Sequence, residues 1–507
     1  MALSDSVSAV VAVLRRRPGD LLPMYLLGAA IPAIVRVIPF VGVLVGYLYL
    51  ESTGRLEGIP EQLADLDTTP PDPDASEEAF EAWMSQFQPI VEQVVTLPLV
   101  LLVAATAIAS VAVLLLLYVV IAAGQIAACA ARLRDERGTT AGIAGIRRYW
   151  LRFLGLAVLE FLVWAAILMA VGTATILFIG VLALAAPVVG LLVGLLSILV
   201  LIGILAAVRA LFAFAPVAVV VDDAGVFGSL SKTVGFIRRR PIEAGFYYAI
   251  SVGTVLAISV VSSFLVIVEV VAFTSLLTVL VVLPALDLLK TALYANYRDR
   301  LRAPAQPERS VRTQFRDGIR RGWSEMIGFV RDTPGTHALV VALAVGSFWV
   351  GWELAGPYAG IVDASISARL EGHIPPAAAL EFFGNNWLVA ITTAYAGVAL
   401  ALPAIASLLF NGVMMGALSR LEVDPVELLT FVIPHGIFEI PAIFVASALG
   451  LWLGVVGWRA FRGRIDRPTF ADALERAFWV LVGIGILLAI AGFVEGFVSP
   501  YYAHILL

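Results

Sequence analysis

Between Glu160 and Arg209 the chain carries not one charged side chain. At ~1.5 Å per residue, a helix through this stretch would be about 70 Å long, twice what ~30 Å of hydrocarbon requires. It therefore reads as two membrane crossings joined by a turn, and Pro187 marks the turn near residues 185–187. A second charge-free stretch lies between Glu92 and Arg132. The composition agrees: 61% of residues are hydrophobic and 14% charged, against about 45–50% and 25% in soluble domains. The ten-residue alternation of a membrane β-barrel is absent. The fold class is all-α: a polytopic transmembrane helical bundle of about eleven spans (ten to twelve), with short amphipathic helices at the interface.

Charge asymmetry orients the spans. Residues 51–93 hold eleven acidic residues and one base, Arg55. Arginines gather instead at Arg132–Arg137, at Arg147 and Arg148, at 238–240 and across 298–331. Arginine excess marks the cytoplasmic side, so the acidic loop is expected outside, with a helix over about 76–87. The expected spans are about 21–49, 94–130, 153–180, 185–215, 243–270 and 274–296, which return the chain inside. A proline-bearing, arginine-rich stretch then separates a six-span N-terminal domain (1–300) from a C-terminal membrane domain (336–507), through a linker and interfacial helix over 301–335. The second domain opens with a span at about 337–356. Residues 385–421 are too long for one straight crossing; Gly397 and Pro403 offer a break, which gives two short spans, eleven in all, and an outside C-terminus.

A local pattern recurs before several spans. VSAVVAVLRRRPGD, SKTVGFIRRRP and SEMIGFVRDTP each read as a short amphipathic helix, arginine, proline and then an apolar run. GIRRYWLRF, from Gly145, is a version without the proline. An interfacial helix with arginines on lipid headgroups, turned into the bilayer at proline, explains the pattern. It reads either as a diverged internal repeat or as common punctuation before a span.

Several function classes are excluded or disfavoured. The first residues place arginines after an apolar stretch, unlike a secretory leader. One cysteine, Cys129, allows no intramolecular disulfide or thiolate metal cluster. The arginine clusters lack a nucleic-acid-reading fold and are explained by lipid contact, so no nucleic-acid partner is expected. Only Lys232 and Lys290 are lysines; that bias, with acidic loops, is a habit of GC-rich or salt-adapted prokaryotes, haloarchaea among them.

Polar side chains in hydrocarbon are costly and should face partners. In the first domain Arg36, Glu160, Arg209, Glu269 and Asp287 are scattered and read as structural. The second domain concentrates such groups: Asn385, Asn386, Asn411, His435 and Glu439, with Glu353 and Glu495 near outer ends. His435 and Glu439 share a helix face by their four-residue spacing. Pro434 and Pro441 remove backbone donors beside them, and the asparagines are expected to supply amides to the freed carbonyls. Gly412 and Gly416 form a GxxxG spacing that admits another helix, and Gly436 is the third small packing position. A zinc-type site lacks a second intramembrane histidine: His337 lies at the inner edge, His373 in a loop and His504 at the C-terminus. HExxH and GxSxG are absent. No catalytic residue, cofactor or metal is expected, and the chain is read as non-enzymatic.

GNNWLVAITTAYAGVALALPAIASLLFNGVMMGAL followed by FVIPHGIFEIPAIFVASALGLWLG resembles the integral membrane family of stage II sporulation protein M over about 320–507. The Asn-Asn pair, FNG-x3-G and Pro-His-Gly-Ile-x-Glu carry the resemblance. It implies a polytopic scaffold that partners cell-wall-remodelling proteins. FAFAPVAVVVDDAGVFGSLSKTVGFIRRRP is similar to the membrane domains found beside glycerophosphodiester phosphodiesterases, without their catalytic domain. The functional expectation is an integral scaffold or assembly protein in the cell membrane, whose partners are the lipid bilayer and other membrane or envelope proteins. The alternative is a proton- or ion-coupled transporter using the His435–Glu439 pair.

Overall fold

The computed structural model describes the chain from residue 3 onward. It leaves out 65, 68, 70, 73–75, 268, 269, 303, 361–363, 365–373, 501 and 503–507, and the side chains of 181, 183–185 and 267. Glu269, His373 and His504, weighed above, lie outside the described residues. In chain order the longer helices are α1 (Leu3–Arg16), α2 (Leu22–Ser52), α3 (Leu97–Arg132), α4 (Gly138–Ile167, continuing to Ala185), α5 (Pro187–Val221), α6 (Val226–Arg239) and α7 (Pro241–Ile267). Then follow α8 (Ala272–Tyr297), α9 (Val311–Asp332), α10 (Pro334–Ala355), α11 (Pro375–Ala396), α12 (Leu402–Leu421), α13 (Pro425–Phe461) and α14 (Arg467–Phe497). The fold is an all-α polytopic bundle, and ten of these helices are long and apolar enough to cross a membrane. The ten omit α11, where Glu381, Asn385 and Asn386 lower the hydropathy; its 22 residues nevertheless run alongside α14.

The three proline elbows form as expected. α1, α6 and α9 are amphipathic and carry arginine in their last turn. Pro18, Pro241 and Pro334 then stand at the start of the next helical segment, where a missing N–H costs nothing. The version without proline does not bend: residues 145–153 lie inside the unbroken start of α4. The expected turn near 185–187 is present, with Ala186 extended between α4 and α5. In α2, kinks at Ala30 and Arg36 precede Pro32 and Pro39, each of which removes an intrahelical donor.

Residues 385–421 are two antiparallel pieces, α11 and α12, with the break at 397–401. Leu400 and Ala401 both have φ of +62°, a left-handed conformation that non-glycine residues seldom adopt. Gly397 in the turn and Gly450, Gly454 and Gly457 of α13 admit this approach. A Cβ on Gly397 would sit 2.6 Å from Gly450 Cα, one on Gly454 would sit 2.5 Å from Ala401 N, and one on Gly457 would sit 3.0 Å from Val398 O. The GxxxG pair does bring a helix close, but the partner is α10. A Cβ on Gly412 would meet Ser347 Cβ at 2.9 Å, and one on Gly416 would meet Trp352 N at 2.9 Å. Gly436 instead faces only Val432 and Ile440 of its own helix, at 3.5 Å.

The two sequence-defined halves share one core. Glu381 Oε2 of α11 accepts the Ala272 N–H at the start of α8 (2.7 Å), neutralising a donor at a helix N-terminus. Gly384 lets α11 lie on the Phe273 backbone. At the arginine-rich end Asp20 accepts the N–H groups of Gly138 (3.0 Å) and Thr139 (3.1 Å) at the start of α4, and its carboxylate lies 3.4 Å from Arg132. Arg137 reaches across to Asp472 (2.7 Å) and Glu475 (2.6 Å) of α14; with Glu475 foremost, these carboxylates raise its pKa. Burial is uneven. More than half of the central apolar window of α13 and of α14 is buried, and none of that of α3 or α7, so the outer face of the N-terminal half is offered to lipid. At the opposite end the acidic segment holds a helix, Glu77–Ser85, capped by Ser76 Oγ on the Ala79 N–H. The segment is closed by Arg55, which donates to the Gln93 carbonyl (2.7 Å).

Candidate functional site

The polar pair of the C-terminal half sits on α13, which continues through both of its prolines as one helix of 37 residues. His435 and Gly436 are buried, and Phe431, one turn earlier, lies edge-on to the imidazole with ring centroids 5.3 Å apart. His435 Nε2 faces Glu439 Oε2 at 4.0 Å. The other ring nitrogen, Nδ1, hydrogen-bonds Ser499 Oγ at 3.0 Å, just beyond the end of α14. Ser499 is itself buried. Glu495, in the last turn of α14, brings its carboxylate to the same place: one atom each of His435, Glu439 and Glu495 lies within 4.8 Å of the other two. Glu495 Oε2 is buried without a hydrogen-bond partner.

The asparagines lie elsewhere. Asn385 is exposed and donates to Asn386 (3.3 Å). Asn411 is also exposed and donates to the Ser407 carbonyl of its own helix (2.9 Å). No hydrogen bond among the described residues joins any of the three to His435 or Glu439. The reason is register. Gly412 and Gly416 present their face of α12 to α10, which leaves Asn411 lining an apolar groove of about 880 Å³ between α10, α12 and α13. Pro434 and Pro441 leave carbonyls unbonded without unwinding the helix, so amides are not drawn in to replace a broken backbone.

The sequence places Glu495 near an outer end without joining it to the pair, and gives no sign of Ser499. A second intramembrane histidine is what the sequence lacks; the third ligand-type group is a carboxylate at the far end of α14, brought in by the antiparallel packing of α13 on α14. The intrahelical spacing of His435 and Glu439 signals a pair but carries no information about a group on another helix. His337 is engaged at the other end, where Nδ1 lies 2.8 Å from the Thr333 carbonyl oxygen. Chemically, one imidazole and two carboxylates in apolar surroundings can hold a cation, share protons or fasten two helices together.

The N-terminal half has its own buried chain. Asp287 lies 2.7 Å from Lys290 and accepts a hydrogen bond from Tyr25 (3.0 Å), whose hydroxyl also touches Cys129 Sγ (3.2 Å). Glu160 and Arg209, scattered in sequence, pair at 3.2 Å between α4 and α5. All these residues are internally matched, as a structural role requires.

Residues 337–500 match the stage II sporulation protein M family. An uncharacterized protein of Methanocaldococcus jannaschii is 30% identical over 129 residues, which cover 24% of this chain and 71% of that relative. No solved structure matches the chain.

Proposed function

Since the chain belongs to the stage II sporulation protein M family, as a multi-pass membrane protein whose residues 337–500 form the matching domain, we propose that it is a non-catalytic integral scaffold. It resides in the cell membrane with its arginine-rich end in the cytoplasm and its C-terminus outside, and it organises membrane or envelope proteins. The observation that carries this reading is the isolation of the polar cluster on an unbroken helix. His435 bonds Ser499 and faces Glu439, and Glu495 lies beside them, between α13 and α14. The three asparagines bond within their own helices, and no hydrogen bond among the described residues links them to the cluster. A coupled transporter would use a discontinuous helix at such a pair, whereas α13 is unbroken.

The test is affinity isolation from the native membrane in mild detergent, for the wild type and for Glu439→Gln. The amide keeps the hydrogen-bonding capacity of the carboxyl, so the same stoichiometric membrane or envelope partner should accompany both. Wild-type protein that elutes alone and conducts ions in proteoliposomes would defeat the scaffold reading.

A further inference from the structure

The cluster at the end of α14 is unfinished as protein alone. His435 and Glu439 from α13 and Glu495 from α14 each offer one ligand atom, all within 4.8 Å of one another. Glu495 Oε2 is buried and makes no hydrogen bond, although buried carboxylate oxygens are normally satisfied. Two partly buried carboxylates beside one buried imidazole call for added positive charge, and metal coordination is one of the few arrangements in which buried charge persists.

We propose that His435, Glu439 and Glu495 bind a divalent transition-metal ion of the zinc type. The donor set selects the class. One imidazole nitrogen and two carboxylate oxygens suit zinc. Calcium takes about six to eight oxygens, and magnesium holds a hydrated octahedron; neither fits three ligands between packed helices. The imidazole is already oriented for the task. Ser499 occupies Nδ1 at 3.0 Å and leaves Nε2, the nitrogen that faces Glu439, free to coordinate. A partner on the second ring nitrogen is how ligating histidines are commonly fixed. Metal–ligand bonds of about 2.0–2.2 Å require the three atoms to draw together from their present spread. The two glutamate side chains, each with three rotatable bonds, are the parts that would have to move. The ion displaces whatever protons the carboxylates carry and fastens α13 to the last turn of α14. Three protein ligands leave one tetrahedral position open. The inference rests on this cluster alone and holds whichever partner the scaffold carries.

The experiment uses full-length protein purified without a polyhistidine tag, stripped with a chelator and retitrated. About one zinc per chain should bind, releasing protons and raising the thermal midpoint, whereas magnesium should not. Cobalt(II) should give the visible bands of a four-coordinate site. Glu439→Gln and Glu495→Gln should abolish binding, and Ser499→Ala should weaken it by about 10–100-fold. Monodisperse wild-type protein that binds no zinc overturns the proposal, as does equal binding by the wild type and both glutamine variants. Should those variants not purify, the wild-type thermal shift and cobalt spectrum decide, and the absence of both overturns it.

Discussion

Asp20→Ala should be among the most damaging single changes in the N-terminal half. The carboxylate is nearly sequestered: the Asp20 and Arg132 side chains are 5% and 1% exposed. Asp20 accepts the N–H groups of Gly138 and Thr139 and balances Arg132 at 3.4 Å. Losing the cap costs about 1 kcal/mol. Leaving a buried guanidinium without its counter-ion costs about 3–5 kcal/mol. Arg132 retains its donation to the Glu136 carbonyl (3.0 Å) and the charge of the nearby Asp135, while its Nε and Nη2 are buried without hydrogen-bond partners among the described residues. The two losses overlap, so the expected total is about 3–5 kcal/mol. Asp20→Asn keeps an acceptor oxygen and should cost less, about 1–3 kcal/mol. Chemical unfolding in mixed micelles, followed by tryptophan emission, reads the difference, because Trp479 packs against Gly19. The double variant Asp20→Asn/Arg132→Met should be less destabilised than the sum of its parts. An Asp20→Ala protein within about 0.5 kcal/mol of wild type would refute the reasoning.

Other outcomes follow from the same contacts. Gly483→Leu should lever α9 away from α14, since even a Cβ there would lie 2.6 Å from Met326 Cβ; the overpacking costs about 1–3 kcal/mol and should expose α9 arginines to limited trypsin digestion. Asn411→Ala should shift stability by no more than about 0.5 kcal/mol, because its side chain bonds only within its own helix; the thermal midpoint measures this. Asp223 is held below the usual carboxylate value by hydrogen bonds from Arg152 and then Arg148. A depressed folded value means that its stabilisation is present above the unfolded pKa and is lost as pH falls through the folded one. The midpoints of wild type and Asp223→Asn should therefore converge in strong acid and separate towards neutrality.

The bundle was readable because charge-free runs and proline elbows are local signals. The stretch between Glu160 and Arg209 and the turn at Ala186 follow from length and one proline, and Pro18, Pro241 and Pro334 open their helices. The two-segment course of 385–421 was also legible, although the break sits at Leu400 and Ala401, where three glycines of α13 give way. The candidate site was legible only within one helix. His435 and Glu439 declare themselves by spacing, but Glu495 and Ser499 join them through the packing of α14, and Asn411 is turned away by the glycine contact with α10. In each case the missing information was which face of one helix meets another, and apolar sequence on every side of a membrane helix conceals it.

The account depends most on the cluster of His435, Glu439, Glu495 and Ser499 holding helices together rather than passing ions. A pH-gradient assay in proteoliposomes, comparing wild type, Glu439→Gln and protein-free vesicles, tests that directly. All three should retain the gradient equally; rapid dissipation by the wild type that disappears in Glu439→Gln would contradict it.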